Sequence, residues 1–230
     1  MKIQRFICGP IQENCYLLSG GSSCVVVDPG FSSSDETARL TARLDGKAPA
    51  AILLTHGHFD HVMGVKGLME LWPGVPVHMH PADEPVLAGN GAFTRLIGLP
   101  DADCSFPRKP VADGGLLVFG DISLKVIATP GHTPGGVCYY CESEGILFSG
   151  DTLFAGAIGR TDFPLSDYDD EIRSIMEKLM LLPGGTGVYP GHGEATTIAR
   201  EGTTNPFLEP FNEPEEKFDP DMAGVEIHPF

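Results

Sequence analysis

The sequence holds no apolar run approaching the roughly 18 residues that a membrane-spanning helix needs, so a membrane-embedded chain is not expected. Its first apolar stretch breaks at Gly9-Pro10, before the core of a signal peptide could form, and a cytoplasmic location is the expectation. Basic residues are scarce. Lysine and arginine number 15 against 31 aspartates and glutamates, a formal net charge of −16. Nucleic-acid binding depends on clustered basic side chains, so that class of partner is not expected. The same deficit gives no long-range attraction for an anionic substrate, and any anion specificity has to be local. A structural zinc site is missing too, because the CxxC at Cys138 to Cys141 has no second CxxC to complete it. On a strand those two positions face opposite sides, and the six cysteines read as ordinary thiols of a reducing compartment. No internal repeat points to a solenoid.

What remains is a globular pattern, with 42% hydrophobic and 20% charged residues over 230 positions, long enough for one well-buried domain. Strand-like runs at Lys2–Cys8, 15–18 and Cys24–Val27 open the chain, the last ending at Asp28-Pro29-Gly30. Ser32 to Ser34 then introduce an amphipathic helix carrying Ala38, Leu40 and Leu44. Residues 51–54 are short and wholly apolar, as in a strand buried on both faces. A helix over about 62–71 and a strand over 75–79 follow. Residues 84–107, rich in glycine and proline, predict an irregular loop overhanging a site. Strands are expected at Leu116–Phe119, Ile122–Ala128, 145–148 and 188–189. Between the last two, Ser166 starts a helix with Asp169, Asp170 and Glu171 in its first turn and a stripe of Ile172, Ile175, Met176 and Leu179. A catalytic domain over 1–208 and an acidic, proline-containing tail over 209–230 complete the organisation; after Pro206 seven acids stand against Lys217.

Four of these short strands finish within a few residues of a histidine or aspartate, with glycine close by. In layered α/β folds, strand ends along one sheet edge bring distant residues into one crevice. The segment Thr55-His56-Gly57-His58-Phe59-Asp60-His61 packs three imidazoles and a carboxylate into six positions. His56 and His58 are two apart, so on an extended chain their rings share a side and can grip one metal. Asp60 and His61 point elsewhere and suit a second ion. Neutral imidazole and ionised carboxylate are ligands for zinc or a similar borderline metal. His132, Asp151 and His192 each sit in a glycine-flanked turn after a strand, and a carboxylate in the middle of that order can bridge two ions. Two divalent cations, two aspartates and one hydroxide leave a net charge of about +1, sensible in a partly dry site.

The pattern His-x-His-x-Asp-His, then Gly-His, Gly-Asp and Gly-His, resembles the metallo-β-lactamase superfamily over most of the chain. The resemblance implies an α/β fold, an αββα sandwich with the metals at one edge of two sheets. It implies that His56, His58 and His132 hold one ion, that Asp60, His61 and His192 hold the other, and that Asp151 bridges. Asp28, in Asp-Pro-Gly, matches an aspartate that supports the ligand loop. Finer features resemble short glyoxalase II-like proteins, which hydrolyse glutathione thioesters: Asn14-Cys15-Tyr16, Gly150-Asp151-Thr152-Leu153-Phe154, Gly159-Arg160-Thr161-Asp162 and Asn205-Pro206-Phe207-Leu208. Full-length enzymes of that group add a helical C-terminal domain with glutathione contacts. They carry Lys where Arg160 stands, Tyr where Asp162 stands, and another Tyr after the last metal histidine, where this chain reads Gly193-Glu194-Ala195.

The expected activity is metal-dependent hydrolysis of a small-molecule thioester. Asp60 and Asp151 are the catalytic carboxylates, and two divalent ions, zinc foremost with iron or manganese as alternatives, share an activated water. No Ser or Cys nucleophile is required. Arg160 is the candidate contact for a substrate carboxylate, and an ion pair with Asp162 is the alternative reading. His78 and His80 read as structural, and His228 falls in the tail. Two rival functions stay open: a mononuclear-iron enzyme resembling persulfide dioxygenase, which shares the Gly-Arg-Thr-Asp-Phe stretch, and a non-catalytic metal-binding module. A monomer or homodimer is expected.

Overall fold

The computed structural model describes residues 1–96, 98–99 and 102–209, and two six-stranded sheets dominate it. The first runs β1 (Lys2–Cys8), β2 (Glu13–Ser19), β3 (Cys24–Val27), β4 (Ala51–Leu53), β5 (Val77–Met79) and β6 (Lys109–Pro110), in that spatial order. Its first three strands are antiparallel, and β3 to β6 are parallel. The parallel pairs require crossovers, which are helical. α1 (Ser34–Leu44) joins β3 to β4, and α2 (Phe59–Val62) with α3 (Val65–Leu71) joins β4 to β5. α1 starts where expected, because Ser33 accepts the backbone N–H of Glu36 as its cap.

A 3₁₀ turn, Pro81–Asp83, and α4 (Glu84–Leu96) precede β6. The second sheet comprises β7 (Leu116–Phe119), β8 (Ile122–Ala128), β9 (Val137–Cys141), β10 (Ile146–Gly150), β13 (Gly187–Pro190) and β14 (Thr196–Thr197). Between β10 and β13 lie the small hairpin β11 (Leu153–Phe154) and β12 (Ala157–Ile158), then α5 (Tyr168–Ser174) and a π-helical stretch, Ile175–Leu179. α6 (Ile198–Thr204) follows β14.

Period-two alternation sorts the side chains into layers. Leu17, Val26 and Ile52 pack outward against Leu40, Leu44, Val65 and Leu68 of the first helical layer. Their neighbours Leu18, Val25, Val27 and Leu53 face inward and meet Leu124, Val126, Tyr139 and Phe148 of the second sheet. On the far side, Cys138, Tyr140, Leu147 and Val188 pack against Ile172, Ile175, Leu179 and Ile198. The result is the expected αββα sandwich with three apolar seams. Truncating a fully buried leucine such as Leu53 costs about 2–5 kcal/mol in such a seam. Cys138 and Cys141 fall in different seams, as their spacing requires, and every described cysteine is a free thiol.

Three expectations need correction. The stretch 84–107 is not a loop throughout, since Glu84–Leu96 is a 13-residue helix. Its two interior glycines, Gly89 and Gly91, cost about 1 kcal/mol each relative to alanine. Burial of Leu87, Asn90 and Thr94 offsets that cost, Leu87 lying beside Gly57 and Asn90 donating to the Gly57 carbonyl at 2.9 Å. The helix still overhangs the site. The single helix over 62–71 is two helices meeting at Met63-Gly64, where a Cβ on Gly64 would collide with Phe31 and the Pro29 carbonyl. α5 is capped by Asp167, not started by Ser166, whose hydroxyl donates to the Phe163 carbonyl. The acidic tail expected over 209–230 lies outside the described residues beyond Glu209. No described helix is long and apolar enough to cross a membrane.

Candidate metal centre

Strands β3, β4, β8, β10 and β13 all deliver their C-terminal ends to one edge of the sandwich. There the two sheets are stitched together. Asn14 N–H donates to the Gly191 carbonyl at 2.7 Å, Val137 N–H to Thr55 at 2.8 Å, and the hydroxyls of Tyr16 and Tyr139 to Pro190 and Leu54. Seven residues singled out from the sequence converge at this edge: His56, His58, Asp60, His61, His132, Asp151 and His192. Their donor atoms form three overlapping groups, His56–His58–His132, Asp60–His61–His192 and His56–His61–Asp151, each within 4.8 Å.

The backbone of Asp28 is left-handed, φ 47°, an unusual state for a non-glycine residue. Three hydrogen bonds hold it there. Its carboxylate accepts Thr55 N–H at 2.7 Å, the Thr55 hydroxyl at 2.6 Å and His61 Nδ1–H at 3.0 Å. Since the Thr55 proton is committed to Asp28, the same hydroxyl oxygen accepts from His56 Nδ1 at 3.1 Å. His132 likewise donates Nδ1–H to the Arg160 carbonyl at 2.8 Å. These partners fix the tautomers and turn three Nε2 atoms inward. The Nε2 atoms of His56 and His61 are buried and lack a hydrogen-bond partner, as does Asp151 Oδ1. Asp151 Oδ2 lies 3.6 Å from both His132 Nε2 and His192 Nε2, while Oδ1 is 3.4 Å from His61 Nε2. Its two oxygens thus stand between the two histidine groups.

The electrostatics suit cations. Burial, then the neighbouring imidazoles, pushes His56 well below its ordinary pKa, and burial with His132 lowers His58 to about 4. Both are neutral near pH 7; His56 Nε2 has no partner, and His58 Nδ1 stands 3.0 Å from His132 Nε2. Burial opposes ionisation of Asp60 and Asp151, yet His61 and the other imidazoles beside them hold both carboxyls below the usual range. Burial opposes charge on His61 as well, but Asp60, Asp151 and Asp28 raise it well above its ordinary value. Three carboxylates around one buried imidazole make this a place that attracts positive charge, as a metal ion would supply. Orphaned inward donors, neutral imidazoles and ionised carboxylates fit two divalent ions.

Two supports were not legible in the sequence. Asp83 accepts Gly57 N–H at 2.7 Å, the Thr133 hydroxyl at 2.9 Å and Gly135 N–H at 2.6 Å, tying the His56–His58 loop to the loop after His132. Glu171, read from sequence as a first-turn acid, is fully buried and accepts His132 N–H at 2.8 Å. Burial pushes its carboxyl up to about 8. No spacing rule marks either residue, because each reaches backbone groups distant in sequence. Arg160 is not bare: its guanidinium pairs two-pronged with Asp162, at 3.0 and 2.9 Å, over the Phe163 ring. His78 packs its ring near Phe119 and His80 caps the 3₁₀ turn, so neither joins the cluster. His228 lies outside the described residues.

Comparison with known proteins agrees with this geometry. The family model described as the metallo-beta-lactamase superfamily matches residues 8–192. The probable metallo-hydrolase YqgX of Bacillus subtilis (strain 168) is 38% identical, the alignment covering 92% of this chain and 100% of that protein. The hydroxyacylglutathione hydrolase GloC of Haemophilus influenzae is 33% identical over 90% of this chain and 98% of its own length. Among solved structures, TTHA1623 in a di-iron-bound form superposes with a TM-score of 0.80 and 40% identity, covering 89% of this chain and all of that one.

Proposed function

The chain belongs to the metallo-β-lactamase superfamily, and from that premise we propose that it is a metal-dependent thioester hydrolase of the hydroxyacylglutathione hydrolase type. The observation that carries the reading is the Asp151 carboxylate, set between two histidine groups with one oxygen unpartnered. His56, His58 and His132 would hold one ion, and Asp60, His61 and His192 the other, with Asp151 shared. Bound divalent ions supply Lewis acidity toward a carbonyl oxygen and bring the pKa of a coordinated water near neutrality. Zinc is the first expectation; the di-iron relative keeps iron in play.

The protein's own groups set the rest. Asp60, held ionised by the imidazoles beside it, would give one carboxylate oxygen to the ion it shares with His61 and His192 and use the other to orient an attacking water. Phe163, beside His58 and His132, walls the reacting carbon from bulk water. A thiolate leaving group needs little help from an acid, so no proton donor need stand beside the cluster. Likeness to the hydroxyacylglutathione hydrolase supports the thioester class.

The test is thiol release from S-lactoylglutathione by metal-replete protein and two variants. Asp151→Ala is expected to lose activity and to weaken both ions. Asp60→Ala is expected to retain the ion on His56, His58 and His132 better than the other. Equal loss of both ions in the two variants would contradict the assigned roles.

A further inference from the structure

Beside the metal ligands opens a cavity of about 730 Å³, within the range of small-molecule sites. Its walls are overwhelmingly apolar. Phe163 lies 5.5 Å from the His58 ring and 6.1 Å from His132, and Phe93 of α4 stands 6.3 Å from Phe163. The wall therefore begins at the ligands themselves and runs outward along the overhanging helix.

The rim continues in the same character. Ile11, Phe93 and Leu165 line the cavity yet are 46%, 39% and 58% exposed, a cluster of large apolar side chains turned to solvent. Leu165 is held in a left-handed backbone state, φ 72°, which is unfavourable for a bulky residue. Ser166 anchors that turn by donating both its N–H, at 3.2 Å, and its hydroxyl to the Phe163 carbonyl. A strained leucine set on the mouth of a cavity is the kind of outlier that marks a binding surface.

Charge recognition is correspondingly thin. Among the described residues the lining holds a single cation, Arg160, and both prongs of its guanidinium that face Asp162 are taken. The acid Glu194 also lines the cavity, its carboxylate paired with Arg5 at 3.2 Å.

We propose that the substrates are thioesters with an uncharged hydrocarbon acyl chain, which packs on Phe93 and Phe163 and reaches the rim at Leu165. Small hydroxyacyl groups leave this wall wet. The proposal rests on the thioester hydrolase reading, keeps its chemistry, and replaces the hydroxyacyl group with a hydrocarbon one. The acyl chain is bonded directly to the reacting carbon, as the sulfur is, and so lies within reach of a wall that starts at His58 and His132; holding the thiol constant isolates its part.

The test holds the thiol constant and uncharged, as N-acetylcysteamine, and varies the acyl group through acetyl, lactoyl, butanoyl and hexanoyl. Full burial would raise kcat/KM up to about fourfold per methylene, so hexanoyl should exceed acetyl and lactoyl by at least about tenfold. Phe93→Ala and Phe163→Leu should each reduce the hexanoyl-to-acetyl ratio several-fold. A flat or inverted series, or a preference that follows the apolarity of the thiol instead, would overturn the proposal. In parallel, calorimetry compares the S-hexyl and S-methyl thioethers of the same thiol, which cannot be hydrolysed. Tighter S-hexyl binding is expected, and equal binding would overturn the apolar wall. If metal-loaded protein released thiol from none of the series, the hydrolase reading would fall, while the thioether comparison would still judge the wall.

Discussion

Arg160 poses a question that one side chain can answer. Its backbone carbonyl orients His132, while its guanidinium sits in an exposed pair with Asp162, and only the second role depends on the side chain. An exposed pair of this kind contributes little to stability, so Arg160→Ala should fold normally and bind metal as before. If the guanidinium leaves Asp162 to grip a substrate carboxylate, the variant should raise KM for S-lactoylglutathione several-fold with kcat near its original value. Steady-state kinetics decides; an unchanged KM would assign Arg160 to the pair with Asp162. Asp28 shows the converse case, a residue that the resemblance singled out through its Asp-Pro-Gly setting. Its carboxylate reaches His61 directly and His56 through Thr55. Asp83 and Glu171 escape such reading because they act on backbone N–H groups 26 to 52 residues away.

At the scale of elements, the proposed ligands are positioned by strands that end in tight turns. Gly191 closes β13, and a Cβ there would overlap Asp151 Oδ1 and the His61 ring. Gly191→Ala should therefore displace two ligands at once and cost about 1–3 kcal/mol of stability through overpacking. Gly185→Ala, before the other end of the same strand, meets open space and serves as the control. Metal content and chemical unfolding of the pair would check this; equal behaviour would show that the turn yields without disturbing the ligands. Strand ends of this type were legible, since short apolar runs followed by Gly-His or Gly-Asp survive in the sequence as a pattern. α4 was not. Its Gly89 and Gly91 speak for a loop, and what makes it a helix is tertiary, through Leu87 and Asn90 against Gly57 of the His56–His58 turn. The break between α2 and α3 is equally non-local, imposed by Phe31 and Pro29 on Gly64.

Over the whole molecule, the layered fold follows from alternation that sends Leu17 outward and Leu18 inward, and the charge follows from composition alone. A net charge of −16 repels an anionic thioester at low ionic strength, and salt screens that repulsion. KM for S-lactoylglutathione should thus fall as salt rises from about 20 to about 200 mM, whereas KM for an uncharged acyl-N-acetylcysteamine should barely move. A KM that rises with salt would show a local cationic contact dominating the field of the chain. Everything proposed for this molecule depends on a two-ion centre that hydrolyses thioesters. The most direct test is to strip the protein with chelator, return zinc or iron in measured equivalents, and follow thiol release from an acyl thioester. Activity should climb and level off near two equivalents per chain, whereas no thiol release at any loading, with oxygen consumed on a persulfide at one equivalent of iron, would contradict it.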